Sequence, residues 1–190
     1  MPKIKTKNLV LCSLFAALTA IGAFIRIPVP MMDYFTLQIA FVLLAGMLLG
    51  ANYGALSVAV YVIAGLIGFP IFAAGGGISY VLRPSFGYLL GFIAAAYLSG
   101  LVCAKLHART YKHYLLAAFS GTVVTYIIGF AYKFAILNLY LHEPTSIWVV
   151  VSASLFGIDI PGDIFLTFVS ALAAVKIKKA LNIENLFQTD

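Results

Sequence analysis

Two ionisable residues lie inside otherwise apolar sequence, where each needs a partner. Lys133 sits deep in the apolar run around Tyr126 and Tyr132. A lysine near mid-bilayer costs about 2.5–3.5 kcal/mol on insertion scales unless it meets water or a counter-charge. Three readings of it stay open: a cation for a substrate carboxylate, an ion pair with Asp163, or a side chain snorkelling to the outer surface. Asp163 follows Pro161-Gly162 and is expected to open the last helix. A carboxylate there either caps the helix N-terminus or accepts hydrogen bonds from a polar head group such as a ureido N–H. Asp159 reads as a surface or capping residue.

Weaker candidates surround these two. Gly75, Gly76 and Gly77 form a glycine run that allows close backbone approach to a ligand or simply a tight turn. Ser79 and Tyr80 follow it, and Arg83 is either a second carboxylate ligand or an interfacial anchor. Gln38 is a buried amide that needs a partner. Tyr80, Tyr88 and Tyr132 are aromatic candidates for a pocket wall, or members of an interfacial belt. On the first apolar run Ala16 and Ala20 are four apart, a small-xxx-small surface for another helix, from a partner or from this chain. No G-x-x-x-x-G-K-[ST], H-E-x-x-H or C-x-x-C spacing occurs, so no cofactor, metal site or catalytic set is expected. Cys12 and Cys103 read as small buried thiols.

The elements that position these residues are membrane helices. Of 190 residues 63% are hydrophobic and 9% charged. Soluble domains carry roughly 25% charged residues, so these charges are too few to cover a surface in water. Apolar runs over residues 8–25, 36–50, 55–73, 85–106 and 114–141 predict five helices, with a turn at 51–54. A sixth region, 147–175, is interrupted at 159–163, as one broken helix or a short helix followed by a span. The net charge of +6 is explained by orientation rather than by nucleic acid. Lys3, Lys5, Lys7, Lys105, Arg109, Lys112, Lys176, Lys178 and Lys179 all fall on one side of a six-span chain, with both termini inside by the positive-inside rule. The expected fold is a single all-α unit over residues 1–190, a multi-pass membrane protein.

Taken together, several strings resemble the BioY family. They are Thr36-Leu37-Gln38, Leu44-Ala45-Gly46-Met47-Leu48-Leu49-Gly50 and Tyr53-Gly54-Ala55-Leu56-Ser57. To these add Gly65-Leu66-Ile67-Gly68-Phe69-Pro70-Ile71-Phe72-Ala73, Gly87-Tyr88-Leu89-Leu90-Gly91-Phe92 and Pro161-Gly162-Asp163. The resemblance implies the six-helix bundle of a substrate-binding S component of an energy-coupling factor (ECF) transporter. It implies biotin uptake from outside, with a transmembrane coupling protein and two ATPase subunits as partners, and no enzyme activity of the chain itself. It assigns Ala16 and Ala20 to the coupling-protein surface and Gly75 to Gly77 to the family's glycine loop. The sequence departs from the family pattern at Leu166, where a lysine is usual, at Tyr132-Lys133, and at Arg83-Pro84 and Phe86. Lys133 or Arg83 would then supply the cation, and lipoate is the alternative carboxylate vitamin.

Overall fold

The computed structural model describes residues 6–27, 34–156 and 159–180. Lys3 and Lys5 lie outside that range. Seven α-helices make up most of the described chain. They are α1 (Thr6–Phe24), α2 (Gln38–Leu49), α3 (Ala51–Ile67), α4 (Phe86–Lys105), α5 (Tyr111–Ala135), α6 (Ile147–Phe156) and α7 (Asp159–Ala180). α1, α4, α5 with its extension to Tyr140, and α7 are long and apolar enough to cross a membrane. α2 and α3 are apolar but shorter; at 1.5 Å per residue, the 12 residues of α2 reach about 18 Å, short of a 30 Å hydrocarbon core.

The helix boundaries differ from expectation in ways that have local causes. Residues 51–54 are not a turn but the start of α3. Gly50 alone reverses the chain, at φ 81°, a conformation that costs glycine little. α3 stops at Ile67 rather than near residue 73, because Gly68 takes φ 121° and Pro70 follows. The last apolar region is two helices, α6 and α7. Residues 159–163, expected as the interruption, are instead the first turns of α7. Pro161 sits in the first turn, where its missing N–H has no intrahelical acceptor to lose. Asp159, not Asp163, is therefore the acid that opens α7.

Two short elements were not foreseen in an all-α chain. β1 (Arg26–Ile27) pairs antiparallel with β2 (Phe35–Thr36), with Arg26 opposite Thr36 and Ile27 opposite Phe35. α5 continues as a π-helical turn, Ile136–Tyr140; such turns occur often at functional sites.

Close approach of backbones holds the bundle. A Cβ on Gly54 would stand 2.7 Å from Gly46 Cα, and one on Gly91 would stand 2.9 Å from Thr125 Cα. Small residues at such crossings let dispersion between backbones drive helix association in lipid. Hydroxyls add cross-links: Thr122 and Thr167 Oγ1 are 2.7 Å apart between α5 and α7. Ala16 is 9% exposed and belongs to the core of this chain, with Ala20 packed against it. Of the two readings for that stripe, the structure shows Ala16 packing against the chain's own helices.

The basic residues of the α4–α5 connection and of the last turns of α7 gather at one end. Lys178 Nζ lies 5.6 Å from the centroid of the Tyr114 ring, so the end of α7 meets the start of α5. A Cβ on Gly100 would meet Ala51 N at 2.4 Å, which brings the Gly50 turn to that same end.

Candidate functional site

The other end of the bundle holds a cavity of about 460 Å³, within the roughly 300–1,000 Å³ usual for small-molecule sites. Its walls come from β2, α2, α4, α5, α6, α7 and the loops before α4 and α6.

Helical spacing explains how side chains distant in sequence share it. Tyr126 and Lys133 are seven apart, two turns along one face of α5. Asp159 and Asp163 are four apart on α7 and face the same space. On α4, Ser85 at the N-cap position, Tyr88 and Phe92 line one wall. Glycines set the depth of that wall: a Cβ on Gly129 would strike the Tyr88 ring at 2.6 Å, and one on Gly87 would strike Tyr132 Cβ at 2.3 Å. The Tyr88, Tyr126 and Phe130 rings pack edge-on or tilted at 5.3–6.3 Å between centroids. Gly162 lets the Phe35 ring approach to 2.5 Å of where its Cβ would be, which brings β2 against α7.

Hydrogen bonds fix the polar groups. Tyr126 Oη donates to Asp163 Oδ2 at 2.7 Å. Gln38, 3% exposed, donates from Nε2 to Tyr61 Oη at 2.7 Å, and Tyr61 donates on to the Ile71 carbonyl at 3.2 Å. Thr36 Oγ1 donates to Gln38 Oε1 at 3.1 Å. The buried amide thus has its partner, and it ties β2, α2 and α3 to the loop before α4. Lys133 is 9% exposed, and its charge acts on Asp159.

The remaining polar atoms are the informative ones. Among the described residues, four buried side-chain atoms lack a hydrogen-bond partner, and three belong to the cavity wall: Ser85 Oγ, Tyr88 Oη and Asp159 Oδ1. Tyr88 has the Ser154 hydroxyl as a neighbour but makes no bond of normal geometry with it. Unsatisfied buried polar groups are costly, at about 1–3 kcal/mol each. Three of the four gather around this one cavity.

Of the candidates read from sequence, the structure brings together Gln38, Tyr80, Tyr88, Lys133 and Asp163. Gly75, Gly76, Gly77, Ser79 and Arg83 are not in the wall. The glycines make a tight turn instead: Gly75 and Gly77 take φ 112° and 101°, Phe72 N–H donates to Gly75 O at 2.8 Å, and Gly77 N–H donates to Gly65 O at 2.7 Å. That turn aims its flanks, Ala73 and Tyr80, at the cavity. Ser79 is exposed, and Arg83 is exposed with its guanidinium 5.4 Å above the Tyr80 ring. Leu166, at the expected lysine position, is packed in the core. Sequence reading missed Ser85, Tyr126 and Glu143; it read Asp159 as a surface or capping residue, and Asp159 both opens α7 and lines the cavity. The spacings 126/133 and 159/163 were the available signals for two of these.

Fold and site together define a small multi-pass membrane protein with a partly polar cavity at one end of its helix bundle. The BioY family model matches residues 1–183. A protein of Lysinibacillus sphaericus described as "Probable biotin transporter BioY" is 44% identical over 92% of this chain and 88% of its own length. The "Biotin transporter BioY" of Thermotoga maritima is 36% identical over 91% of this chain and 96% of its own. The solved S component for biotin from an ECF-type ABC transporter superposes with a TM-score of 0.79 at 24% identity, covering 94% of both chains, and shows the shared fold. The chain belongs to the BioY family.

Proposed function

We propose that this chain is the substrate-capture component of an ECF transporter for biotin. It takes the vitamin from outside the cell and passes it inward with a coupling protein and two ATPase subunits. In this reading the chain passes six times through the plasma membrane with both termini cytoplasmic. The shorter α2 and α3 form one pair of passes, and α6 is a short outer helix. The gathering of Lys105, Lys112, Lys178 and Lys179 at the end away from the cavity supports that orientation.

The observation that carries the reading is the set of Ser85 Oγ, Tyr88 Oη and Asp159 Oδ1 without partners around an aromatic-walled cavity that also holds Asp163 and Lys133. A ureido ring offers two N–H donors and one carbonyl acceptor. Asp163 and Asp159 accept from the donors; Lys133, Ser85 or Tyr88 donates to the carbonyl. Gln38 and Tyr80 close the wall on the far side. Lipoate has a dithiolane ring with no N–H, so it offers neither carboxylate a donor. Mass spectrometry of the small molecule released from detergent-purified protein tests this directly. Biotin is the expected species, and calorimetry should rank biotin above lipoate by at least about 10,000-fold, the discrimination typical of a site built to hydrogen-bond a group the analogue lacks. Equal binding of the two would refute it.

Docking of the coupling protein is read from α1. With Ala16 packed internally, the small residues that α1 presents outward are Ser13 and Ala17, four apart and both exposed. The Ser13 hydroxyl is satisfied by Leu9 O at 3.1 Å, which leaves a face that a partner helix can approach closely. Ala17→Trp should keep biotin binding and abolish co-purification with the coupling protein. Ala16→Trp should instead lower the yield of folded chain by overpacking the core. Undiminished co-purification of the Ala17 variant would rule this face out.

A further inference from the structure

We propose that Arg26 reads the anionic end of the ligand, an assignment that rests on the biotin reading above. Lys133 is the obvious carboxylate partner by type, but its surroundings argue against that role. The α5–α7 side of the cavity carries one cation, Lys133, against two carboxylates, Asp159 and Asp163, and Glu143 adds a third acid from the exposed loop before α6. A ligand carboxylate placed there would enter an excess of negative charge, where like charges repel strongly. That side suits a neutral group rich in N–H donors.

Among the described residues, the opposite balance holds where β1 and β2 meet the rim. The Arg26 guanidinium lies 4.8 Å from the centroid of the Tyr34 ring, and Nη1–H donates to the Ala73 carbonyl. Tyr34 and Ala73 both line the cavity, and so does Thr36, the strand partner of Arg26. Arg26 therefore touches the wall through two residues. A guanidinium has five N–H donors, the bond to Ala73 uses one face of it, and no ion pair to Arg26 occurs among the described residues. The stack on Tyr34 and the bond to Ala73 hold the planar fork in place, so a carboxylate arriving at the rim meets a pre-positioned donor pair. An uncharged head among the α5–α7 acids and an anionic tail at Arg26 give the bound ligand one direction.

The test is a cycle of two ligands and four proteins, with the full chain purified in detergent and calorimetry on biotin and biotinamide, whose tail is an uncharged carboxamide. The parent should prefer biotin by about tenfold, the scale of one partly exposed charge-assisted contact. Arg26→Gln should erase that preference by weakening biotin about tenfold while changing biotinamide less than about threefold. Arg26→Lys should keep part of it. Arg83→Gln, the other rim cation, should leave it intact. The assignment is overturned if Arg26→Gln keeps the preference, if both ligands weaken together, or if Arg83→Gln is the variant that loses it. Binding of neither ligand to the parent would overturn the biotin reading and this assignment with it.

Discussion

Replacing Asp163 by alanine should weaken biotin binding about 100-fold or more in calorimetry on the purified chain. The carboxylate accepts from Tyr126 at 2.7 Å and lines the cavity beside Asp159 and Lys133. Truncating one partner of a buried hydrogen-bonded charge typically costs about 2–5 kcal/mol, much of it from the groups left unpaired. Here those groups are the Tyr126 hydroxyl and a ligand N–H. Asp163→Asn is expected to do little better, since the amide turns a donor toward the ligand's own donor. Tyr126→Phe removes only the supporting bond and should cost about 1 kcal/mol, roughly fivefold. Each variant should still fold, with its melting temperature lowered by no more than a few degrees, because Asp163 bonds to no core side chain other than Tyr126 among the described residues. If Asp163→Ala binds within threefold of the parent, the head group does not sit on α7.

The second large effect is on folding. Gly46→Val should prevent accumulation of a monodisperse, heat-stable protein in detergent. A Cβ at this position would stand 2.1 Å from Ser99 Oγ and 2.2 Å from the Ala96 carbonyl oxygen. Gly54 presses from another side, its own Cβ position lying 2.7 Å from Gly46 Cα. The obstacles are mostly backbone, which no rotamer change can move. Overpacking a core costs typically about 1–3 kcal/mol and more when helices must separate. α2 has little with which to offset that loss, having only 12 residues packed against five other helices. Gly46→Ala should be intermediate, with a lowered melting temperature and residual ligand binding. A valine variant that melts with the parent would show that α2 does not pack as described.

Much of the molecule was legible before any coordinates. Lipid burial followed from 9% charged residues, because a membrane protein needs few ions where a soluble one needs many. Helix positions followed from apolar run length: α1, α4, and α5 taken with its π-helical extension begin and end within a few residues of expectation. The misplaced boundaries were those set by single-residue backbone choices. Gly50 turns the chain in one step, and Pro161 sits harmlessly in a first turn although proline in sequence reads as a break. The glycine run was legible as a turn or a ligand loop, and only its hydrogen bonds to Phe72 and Gly65 separate the two.

The sequence by itself determined that this chain lives in lipid, which residues are expensive there, and to which family it belongs by motif. Those follow from composition and short-range order, which a linear chain displays in full. The tertiary structure alone decided which costly residues meet. It drew Asp159, Tyr126 and Ser85 into the cavity with Asp163 and Lys133, left Arg83 and the glycine turn outside its wall, and placed Ala16 in the core. The physical reason is that helix rotation is set by packing against neighbours tens of residues away, at Gly46, Gly87, Gly129 and Gly162. A rotation of one residue, about 100°, carries a side chain from cavity to lipid without altering any local pattern.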